Sequence, residues 1–248
     1  MRLVTWNLQG SARPDLAAVA STIAASGASV VLVQEIQRRQ AKRLARLLGW
    51  SVTWRFKHWS IAVPPEGLAI LSPEPQRDVR RVVLALPWSF WSWRRRIAVS
   101  ATIPGSPTVR VVNTHLGAGV DDAERARQAE LTIEMTGVAT GTDPASDVSG
   151  PAVVAGDLNT KPGSVVLRVY EDAGLVDAWM AARGDAPGAT NWSPGPRVEP
   201  PTKRLDYVFA TPDLSVLDAT VPSAEDAVER FGPISDHLPL TVSFDVLG

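Results

Sequence analysis

The sequence contains no cysteine and only three histidines among its 248 residues. The absence of cysteine excludes disulfides, zinc sites with thiolate ligands and a thiol nucleophile. No apolar stretch approaches the roughly 18 residues that a membrane span needs, and no leader-like segment precedes the first strand-like run. We therefore expect a cytoplasmic protein with no stable membrane insertion.

An excess of charge of one sign is also lacking. Lys and Arg total 25 against 26 Asp and Glu, a formal net charge of -1. This balance argues against a protein held on nucleic acid by its overall charge, although it leaves room for a local basic groove. The hydrophobic fraction of 45% is typical of globular chains. We expect one domain over residues 1–248 and a monomer.

Short apolar runs rich in β-branched residues alternate with segments of helical spacing, which predicts sheets covered by helices. Helices are predicted from Leu16 to Ala25, Arg38 to Leu48 and Asp121 to Gly137. Two segments read as loops, Gly141–Gly150 and Gly184–Pro201, and the second, with its five prolines, is long enough to be functional. The predicted strands are Leu3–Leu8, Ser29–Val33, Ser51–Phe56, Gly67–Leu71, Val79–Leu84, Ile97–Ile103, Val109–Asn113, Pro151–Ala155, Leu205–Ala210 and Leu238–Val246.

Polar side chains that suit catalysis fall where these strands end. Asn7 lies near the end of the first strand, and Glu35, His115 and Asp157 each follow an apolar run. Asn159 comes two residues after Asp157, a spacing that puts both side chains on one face of an extended segment.

Three further polar residues stand at the beginning of a strand instead. Asp206 opens one apolar run, and the pair Asp236 and His237 precedes the last one. If these strands run opposite to the others, all of these groups meet at one edge of the structure.

Each position also has a structural interpretation. A single Asn or Asp at a strand end usually bonds its own turn, and a single histidine is more often buried than catalytic. Asp206 could form a surface pair with Lys203 or Arg204. The joint pattern favours a site, because two of the three histidines belong to it.

Six short motifs stand out along the chain: Thr5–Leu8, Gln34–Glu35, Asn113–Leu116, Gly156–Asn159, Arg204–Tyr207 and Ser235–His237. Their order and spacing resemble the endonuclease/exonuclease/phosphatase superfamily, the group of deoxyribonuclease I, abasic-site endonucleases, neutral sphingomyelinases and inositol phosphate phosphatases. The resemblance covers residues 5–237 and implies an α+β fold, a four-layer sandwich of two mixed β-sheets face to face with helices on both outer faces.

The resemblance implies a metal site of oxygen donors. Mg²⁺ or Mn²⁺ would be held by Glu35, with Asn7 close by and Asp236 binding directly or through water, which suits a hard cation that keeps several waters. Asn7 is also a candidate for substrate binding.

The same resemblance assigns the chemistry. Cleavage of a phosphate ester needs an aligned water, neutralised equatorial oxygens and help for the departing oxygen. Asp157 would orient and deprotonate the water, and Asn159 would donate a hydrogen bond to the phosphate. His237, oriented by Asp206, and His115 would face the phosphate from two sides.

Glu66 precedes a strand-like run, as Asp206 does. It resembles the family acid that supports the histidine of the Asn-Thr-His motif, so we predict that it pairs with His115 and favours the imidazolium. The alternative is a solvated glutamate in a turn.

Two aromatic and basic segments bear on the substrate. Leu86–Arg96 places four aromatics beside Arg94, Arg95 and Arg96, which suits contact with single-stranded nucleic acid or a membrane surface. The alternative is a turn whose tryptophans fold into the body. Lys57 and His58 could line the same groove, but an edge strand with solvated cations is the favoured interpretation.

We therefore predict a metal-dependent phosphodiesterase, foremost a nuclease of endo- or exo-type, acting on a phosphoester substrate of which nucleic acid is one candidate. The alternative enzymes are a phosphomonoesterase and a sphingomyelinase-like phospholipase. A non-catalytic module that binds a phospho-ligand or a partner protein is disfavoured, because no acidic, amide or histidine position of the motifs is replaced.

Overall fold

The structure is a computed structural model and describes residues 1–60, 63–86, 95–138 and 150–246. Within these residues the chain forms two six-stranded sheets. The strands are β1 (Arg2–Asn7), β2 (Val30–Gln37), β3 (Ser51–Ser60), β4 (Val63–Ser72), β5 (Arg77–Ala85), β6 (Arg96–Ile103), β7 (Val109–His115), β8 (Ala152–Asp157), β9 (Val176–Asp177), β10 (Asp206–Ala210), β11 (Leu214–Thr220) and β12 (Leu240–Val246).

Both sheets are mixed, as the resemblance implies. The first sheet has the order β11-β12-β1-β2-β4-β3, and the second has the order β5-β6-β7-β8-β10-β9. One pair in each sheet is parallel, β1 with β2 and β7 with β8, whereas the other pairs are antiparallel. Because parallel strands end at the same edge of their sheet, the carboxyl ends of β1 and β2 meet in the first sheet and those of β7 and β8 meet in the second.

Helices connect and cover the strands: α1 (Leu16–Ser26), α2 (Arg38–Leu48), α3 (Asp122–Glu134), α4 (Val165–Asp172), α5 (Ala178–Arg183) and the short α6 (Ala224–Asp226). The side chain of Asp15 caps α1 by accepting hydrogen bonds from the amides of Ala17 and Ala18, and Gly27 ends the helix at φ 66°. No helix in the described part of the chain is long and apolar enough to cross a membrane.

Three apolar clusters separate four layers. One lies between the two sheets and contains Leu32 and Val111. The second packs α1 and α2 on the first sheet, and the third packs α3 and α4 on the second sheet. Burial on both faces of each sheet explains why β2 and β8 are continuous apolar runs and do not alternate.

A polar contact crosses the interior between the sheets. Gln34 Nε2 on β2 donates to Asn113 Oδ1 on β7 over 2.8 Å, and Asn113 Nδ2 donates to the carbonyl oxygens of Val33 and Ala69. Both side chains are fully buried. These bonds fix the position of the ends of β2 and β7 relative to each other, one from each sheet.

Five of these elements are not predicted from the sequence: α4, α5, the short α6, the two-residue strand β9 and the edge strand β11. The predicted helix Asp121–Gly137 is shorter at both ends. Asp121 is its cap and accepts from the amide of Glu124, and the last helical residue is Glu134. Of the predicted loop Gly141–Gly150, residues 141–149 lie outside the described residues.

Candidate active site

The strand register brings the strand-end side chains together. His115 on β7 lies beside Asp157 on the parallel β8, and Asp206 on the antiparallel β10 lies beside Asp157 from the other side. Asn7 on β1 pairs with Gln34, the residue before Glu35. The predicted reversal therefore occurs, because β10 runs antiparallel to β8 and β12 runs antiparallel to β1. Asn7 of the first sheet bonds Asp157 of the second, so both sheets contribute to one edge.

An open cleft of about 640 Å³ lies at this edge. It is lined mainly by polar and charged side chains, which suits an ionic substrate better than an apolar one. Nine of the predicted site residues line it: Asn7, Glu35, Glu66, Arg96, His115, Asp157, Asn159, Asp236 and His237. Asp206 lies behind His237, and Arg94 lies outside the described residues, as do residues 87–93 of the predicted aromatic segment.

Asp157 occupies the centre of the cleft and is buried. Its Oδ1 accepts from the backbone N–H of Asn159 at 3.0 Å, and its Oδ2 accepts from Asn7 Nδ2 at 3.1 Å. Burial raises the pKa of Asp157 to about 6, against the opposing attraction of the His237 imidazolium. A carboxylate held at this pKa is ionised at neutral pH yet basic enough to take a proton from water.

His237 and Asp206 form a close carboxylate–histidine pair, with Nδ1 and Oδ2 2.7 Å apart. Burial by itself lowers the pKa of His237, but the negative charges of Asp206 and Asp157 outweigh it and raise the pKa to about 10. The alternative surface pairing of Asp206 is wrong, because Asp206 is fully buried and Arg204 instead binds Asp177 at 2.8 Å.

Asn191, which the sequence does not single out, contacts this pair. Its Nδ2 lies 2.8 Å from His237 Nε2 and 3.2 Å from the carbonyl oxygen of Asp236. An amide nitrogen and a protonated ring nitrogen are both donors, so the imidazolium form of His237 requires the amide to turn and present Oδ1. Asn191 lies in the loop Gly184–Pro201, whose length is the one sequence signal for it.

That proline-rich loop is fixed against the cleft. Asn191 forms bridges with both Lys203 and His237. Arg197 donates to the carbonyl oxygen of Gly232 and to Gln9 Oε1. The loop therefore forms one wall of the cleft.

His115 is buried on the other side of Asp157, with Nε2 3.6 Å from Asp157 Oδ2. Its Nδ1 lies 3.0 Å from Lys57 Nζ and 3.6 Å from Glu35 Oε1. Lys57 is fully buried, so its interpretation as a solvated cation is wrong. Burial lowers the pKa of Lys57 to about 8, against the attraction of Glu35. The side chain of His58 lies outside the described part.

Glu66 lies in the same cleft and is only 2% exposed, so the alternative of a solvated turn glutamate is wrong. Its Oε1 accepts from the backbone N–H of Ser11 at 2.9 Å. Burial, followed by the charge of Glu35, raises the pKa of Glu66 to about 7. Its pairing with His115 stays a prediction.

The candidate metal ligands place oxygen donors around Glu35, which is one-quarter exposed at its side chain. Burial raises the pKa of Asp236, and the charge of Glu35 raises it further, as it does for Glu66. Mutual repulsion of this kind is relieved by a cation. Asn7 Oδ1 accepts from the amide of Gln9 and keeps a second lone pair.

These residues do not form a ready-made cage. Within the described ranges no three acidic or histidine side chains converge as direct ligands of one metal ion. A donor set of one or two carboxylates completed by water and substrate fits Mg²⁺ or Mn²⁺, which rarely depend on an all-protein cage.

The two described arginines of the aromatic segment, Arg95 and Arg96, differ in their relation to the cleft. Arg96, the first residue of β6, lines the cleft, and its charge contributes to lowering the pKa of Lys57 after burial. Arg95 is half-buried. Arg96 therefore lines the cleft from the start of a strand and not from an outlying loop.

Residues 4–237 match the sequence model of the Endonuclease/Exonuclease/phosphatase family. No curated protein is significantly similar in sequence to this chain.

Solved structures of low sequence identity share the fold over nearly the whole chain. An endonuclease/exonuclease/phosphatase family protein from Leptotrichia buccalis is 19% identical, with a TM-score of 0.75 and 99% of both chains covered. The catalytic domain of human nocturnin, with bound sulfate, is 20% identical, with a TM-score of 0.72 and coverage of 99% of this chain and 93% of that one. The 3′ phosphatase NExo from Neisseria, bound to a product DNA hairpin, is 23% identical, with a TM-score of 0.73 and 99% of both chains covered.

Proposed function

Because the chain belongs to the Endonuclease/Exonuclease/phosphatase family, whose members are phosphoester hydrolases, we propose that it is a phosphodiesterase dependent on Mg²⁺ or Mn²⁺, and within that class a nuclease. One observation carries the proposal. A buried carboxylate, Asp157, is held by two hydrogen bonds between two histidines at the centre of a polar cleft.

Each residue of the cleft has a task in the hydrolysis of a diester. Asp157 takes the proton of the attacking water, since its pKa of about 6 leaves it ionised at neutral pH. Asn159 Nδ2 donates one hydrogen to the carbonyl oxygen of Leu116, which leaves its second hydrogen to donate to the phosphate. His237, kept protonated by Asp206, stabilises the negative charge of the reacting group.

A divalent cation would be held by Glu35, with Asn7 and Asp236 beside it, and would supply charge neutralisation at the phosphate and the departing oxygen. Family members are generally dependent on divalent metals.

The lining of the cleft carries charges of both signs. Four carboxylates line it, Glu35, Glu66, Asp157 and Asp236, and so do four cationic side chains, Arg96, Arg197, Lys203 and His237. Such a mixed lining suits an anionic phosphate ester bound together with a divalent cation. The substrate panel below separates a diester from a monoester.

The shape of the cleft favours a polymer. A second cavity of about 320 Å³, the side cavity, is lined by Lys161, Lys203 and Asn159, and it shares Asn159, Lys203 and Leu205 with the main cleft. A substrate that extends past the reacting phosphate can therefore place a neighbouring phosphate near two lysines. The second candidate function is a phosphomonoesterase, for which the likeness to the Neisseria 3′ phosphatase is the supporting observation.

A substrate panel tests the proposal. Purified protein is assayed on supercoiled plasmid, single-stranded oligonucleotide, bis-p-nitrophenyl phosphate and p-nitrophenyl phosphate, each with Mg²⁺, Mn²⁺ or excess EDTA. We expect cleavage of the diesters with either metal and none in EDTA, with Glu35→Ala folded but inactive. Full activity in EDTA overturns the metal dependence. Turnover of the monoester alone establishes the second candidate.

A further inference from the structure

The side chain of Lys57 is buried, although lysines on edge strands are ordinarily exposed to solvent. Its strand, β3, lies at the end of the first sheet, yet the side chain is fully buried. Lysine is almost never fully buried unless it is paired, because its ammonium must be desolvated. A fully buried ammonium therefore points to a specific task at the atoms that it contacts.

An irregularity of the strand accounts for the position. Along β3 and β4, Phe56 pairs with Gly67 and His58 pairs with Glu66, so Lys57 is the extra residue of a bulge. Bulges are frequent next to active sites, where the extra residue changes the direction of a side chain. Here the side chain of Lys57 is directed to the floor of the cleft.

The contacts of the Lys57 ammonium are specific. Nζ lies 3.0 Å from His115 Nδ1 and 3.6 Å from Glu35 Oε1. With Lys57 as an ammonium, which can only donate, Nδ1 accepts, and a neutral ring that accepts at Nδ1 carries its proton on Nε2. Glu35 Oε1 lies 3.6 Å from the same Nδ1, beyond hydrogen-bond distance, and does not compete as an acceptor from it. Nε2 lies 3.6 Å from Asp157 Oδ2, on the side of the reacting group.

We propose that Lys57 is a positioning residue: its ammonium donates to His115 Nδ1, orients the ring and keeps the single ring proton on Nε2, which faces the reaction centre. His115 then donates one hydrogen bond to a phosphate oxygen as a neutral imidazole. The role differs from the imidazolium supported by Glu66 that the resemblance implies. Its effect on turnover rests on the proposed function, but the ring tautomer does not.

The tautomer is measured directly in the wild-type protein. With nitrogen-15 histidine, ring proton–nitrogen correlation at neutral pH reports which nitrogen of His115 carries hydrogen, and the signal is assigned by its loss in His115→Gln. We expect an unprotonated Nδ1 and a protonated Nε2. A proton on Nδ1, in a neutral or charged ring, overturns the proposal, and this result needs no variant of Lys57.

The effect on turnover is tested by chemical rescue. Because the chain has no cysteine, Lys57→Cys introduces the only thiol. It is alkylated in denaturant with 2-bromoethylamine, which restores an ammonium of nearly lysine length, or with iodoethane, which gives an uncharged side chain. Lys42→Cys on the exposed face of α2 is treated identically as the matched control.

We expect Lys57→Cys to mix the two ring tautomers and to lower kcat roughly 10–100-fold with little change in KM. Aminoethylation should restore the single ring tautomer and kcat, whereas ethylation should restore neither of them. Equal rescue by both reagents, or unchanged ring signals and kcat in Lys57→Cys, overturns the proposal. If the wild type turns over no phosphoester, the proposed function fails, and the ring spectra still decide the role of Lys57.

Discussion

At the scale of single residues, two site positions have an unusual backbone. Glu35 has φ 51° and Asn159 has φ 49°, in the left-handed region that most residues avoid. Glu35 lies where the register of β2 against β4 shifts between Val33 and Ile36. Such conformations persist only where the surrounding structure fixes them, and they cluster at functional sites. The chain therefore accepts strain at a candidate metal ligand and at a candidate phosphate ligand.

The base assignment is tested by Asp157→Asn, which keeps the shape of the side chain and loses its charge. A base with a pKa of about 6 is protonated below that pH, so the wild-type rate should rise as the pH increases through about 6 and then level off. In the variant, kcat should fall by roughly 10²–10⁴. The measurement is kcat and KM against pH on bis-p-nitrophenyl phosphate.

The exposed turn variant Asp213→Asn is the control and should leave both constants unchanged. A variant at Asp157 that binds poorly but turns over at the normal rate when saturated would show that Asp157 positions the substrate and is not the base.

At the scale of elements, the parallel pair β7 and β8 holds His115 next to Asp157. This pairing needs glycine at position 156, which has φ 150° and lies beside Thr114. A Cβ added there would lie 1.9 Å from the carbonyl oxygen of Thr114. The two strands could then remain paired only by shifting the backbone.

We expect Gly156→Ala to lower the free energy of unfolding by about 3 kcal/mol or more, from overpacking and backbone strain together. Urea unfolding measures it. Gly163→Ala is the matched control, because Gly163 also has a positive φ, 79°, but an added Cβ there meets no atom within 4 Å. It should lose about 1–2 kcal/mol. Equal losses would mean that strain alone, and not the approach to β7, makes glycine necessary.

The elements also show what the sequence predicts. The bounds of α2 agree at both ends, because its apolar spacing and Gly49 are local signals. The helix α4 is missed, since Val165, Val166 and Val169 are β-branched and favour strands in isolation. Its helical form comes from packing on the second sheet.

The residues of the site also divide into those that the sequence predicts and those that it does not. Asn7, His115 and Asp157 end strands whose apolar runs are visible in the sequence, so their meeting at one edge is predictable. The burial of Lys57 depends on a bulge, and the contact of Asn191 depends on the path of an irregular loop. Neither a bulge nor a loop path has a periodic signal.

At the scale of the whole molecule, the charges nearly cancel, with a formal net charge of -1. Steering and retention of a polyanion then depend on local groups, not on the overall field. Lys161 is exposed at the side cavity and is absent from the lining of the main cleft. It can therefore bind a polymer without taking part in the chemistry.

We expect Lys161→Ala to weaken oligonucleotide binding and to lower the slope of log affinity against log salt by about 1, the effect of one lost phosphate contact. Hydrolysis of bis-p-nitrophenyl phosphate should be unchanged. Lys42→Ala, on the exposed face of α2, should alter neither. An unchanged salt slope would exclude a phosphate contact at the side cavity, and an equal loss on the small diester would place Lys161 in the chemistry.

The buried bond between Gln34 and Asn113 has a consequence for how the protein can evolve. It ties two sheets of which one supplies Asn7 and Glu35 and the other supplies His115 and Asp157. A substitution anywhere in the interface that lets the sheets slide changes the distances between these two halves. Selection for turnover is thereby selection on the entire inter-sheet packing, so this interior should drift in composition far more slowly than the outer helical layers.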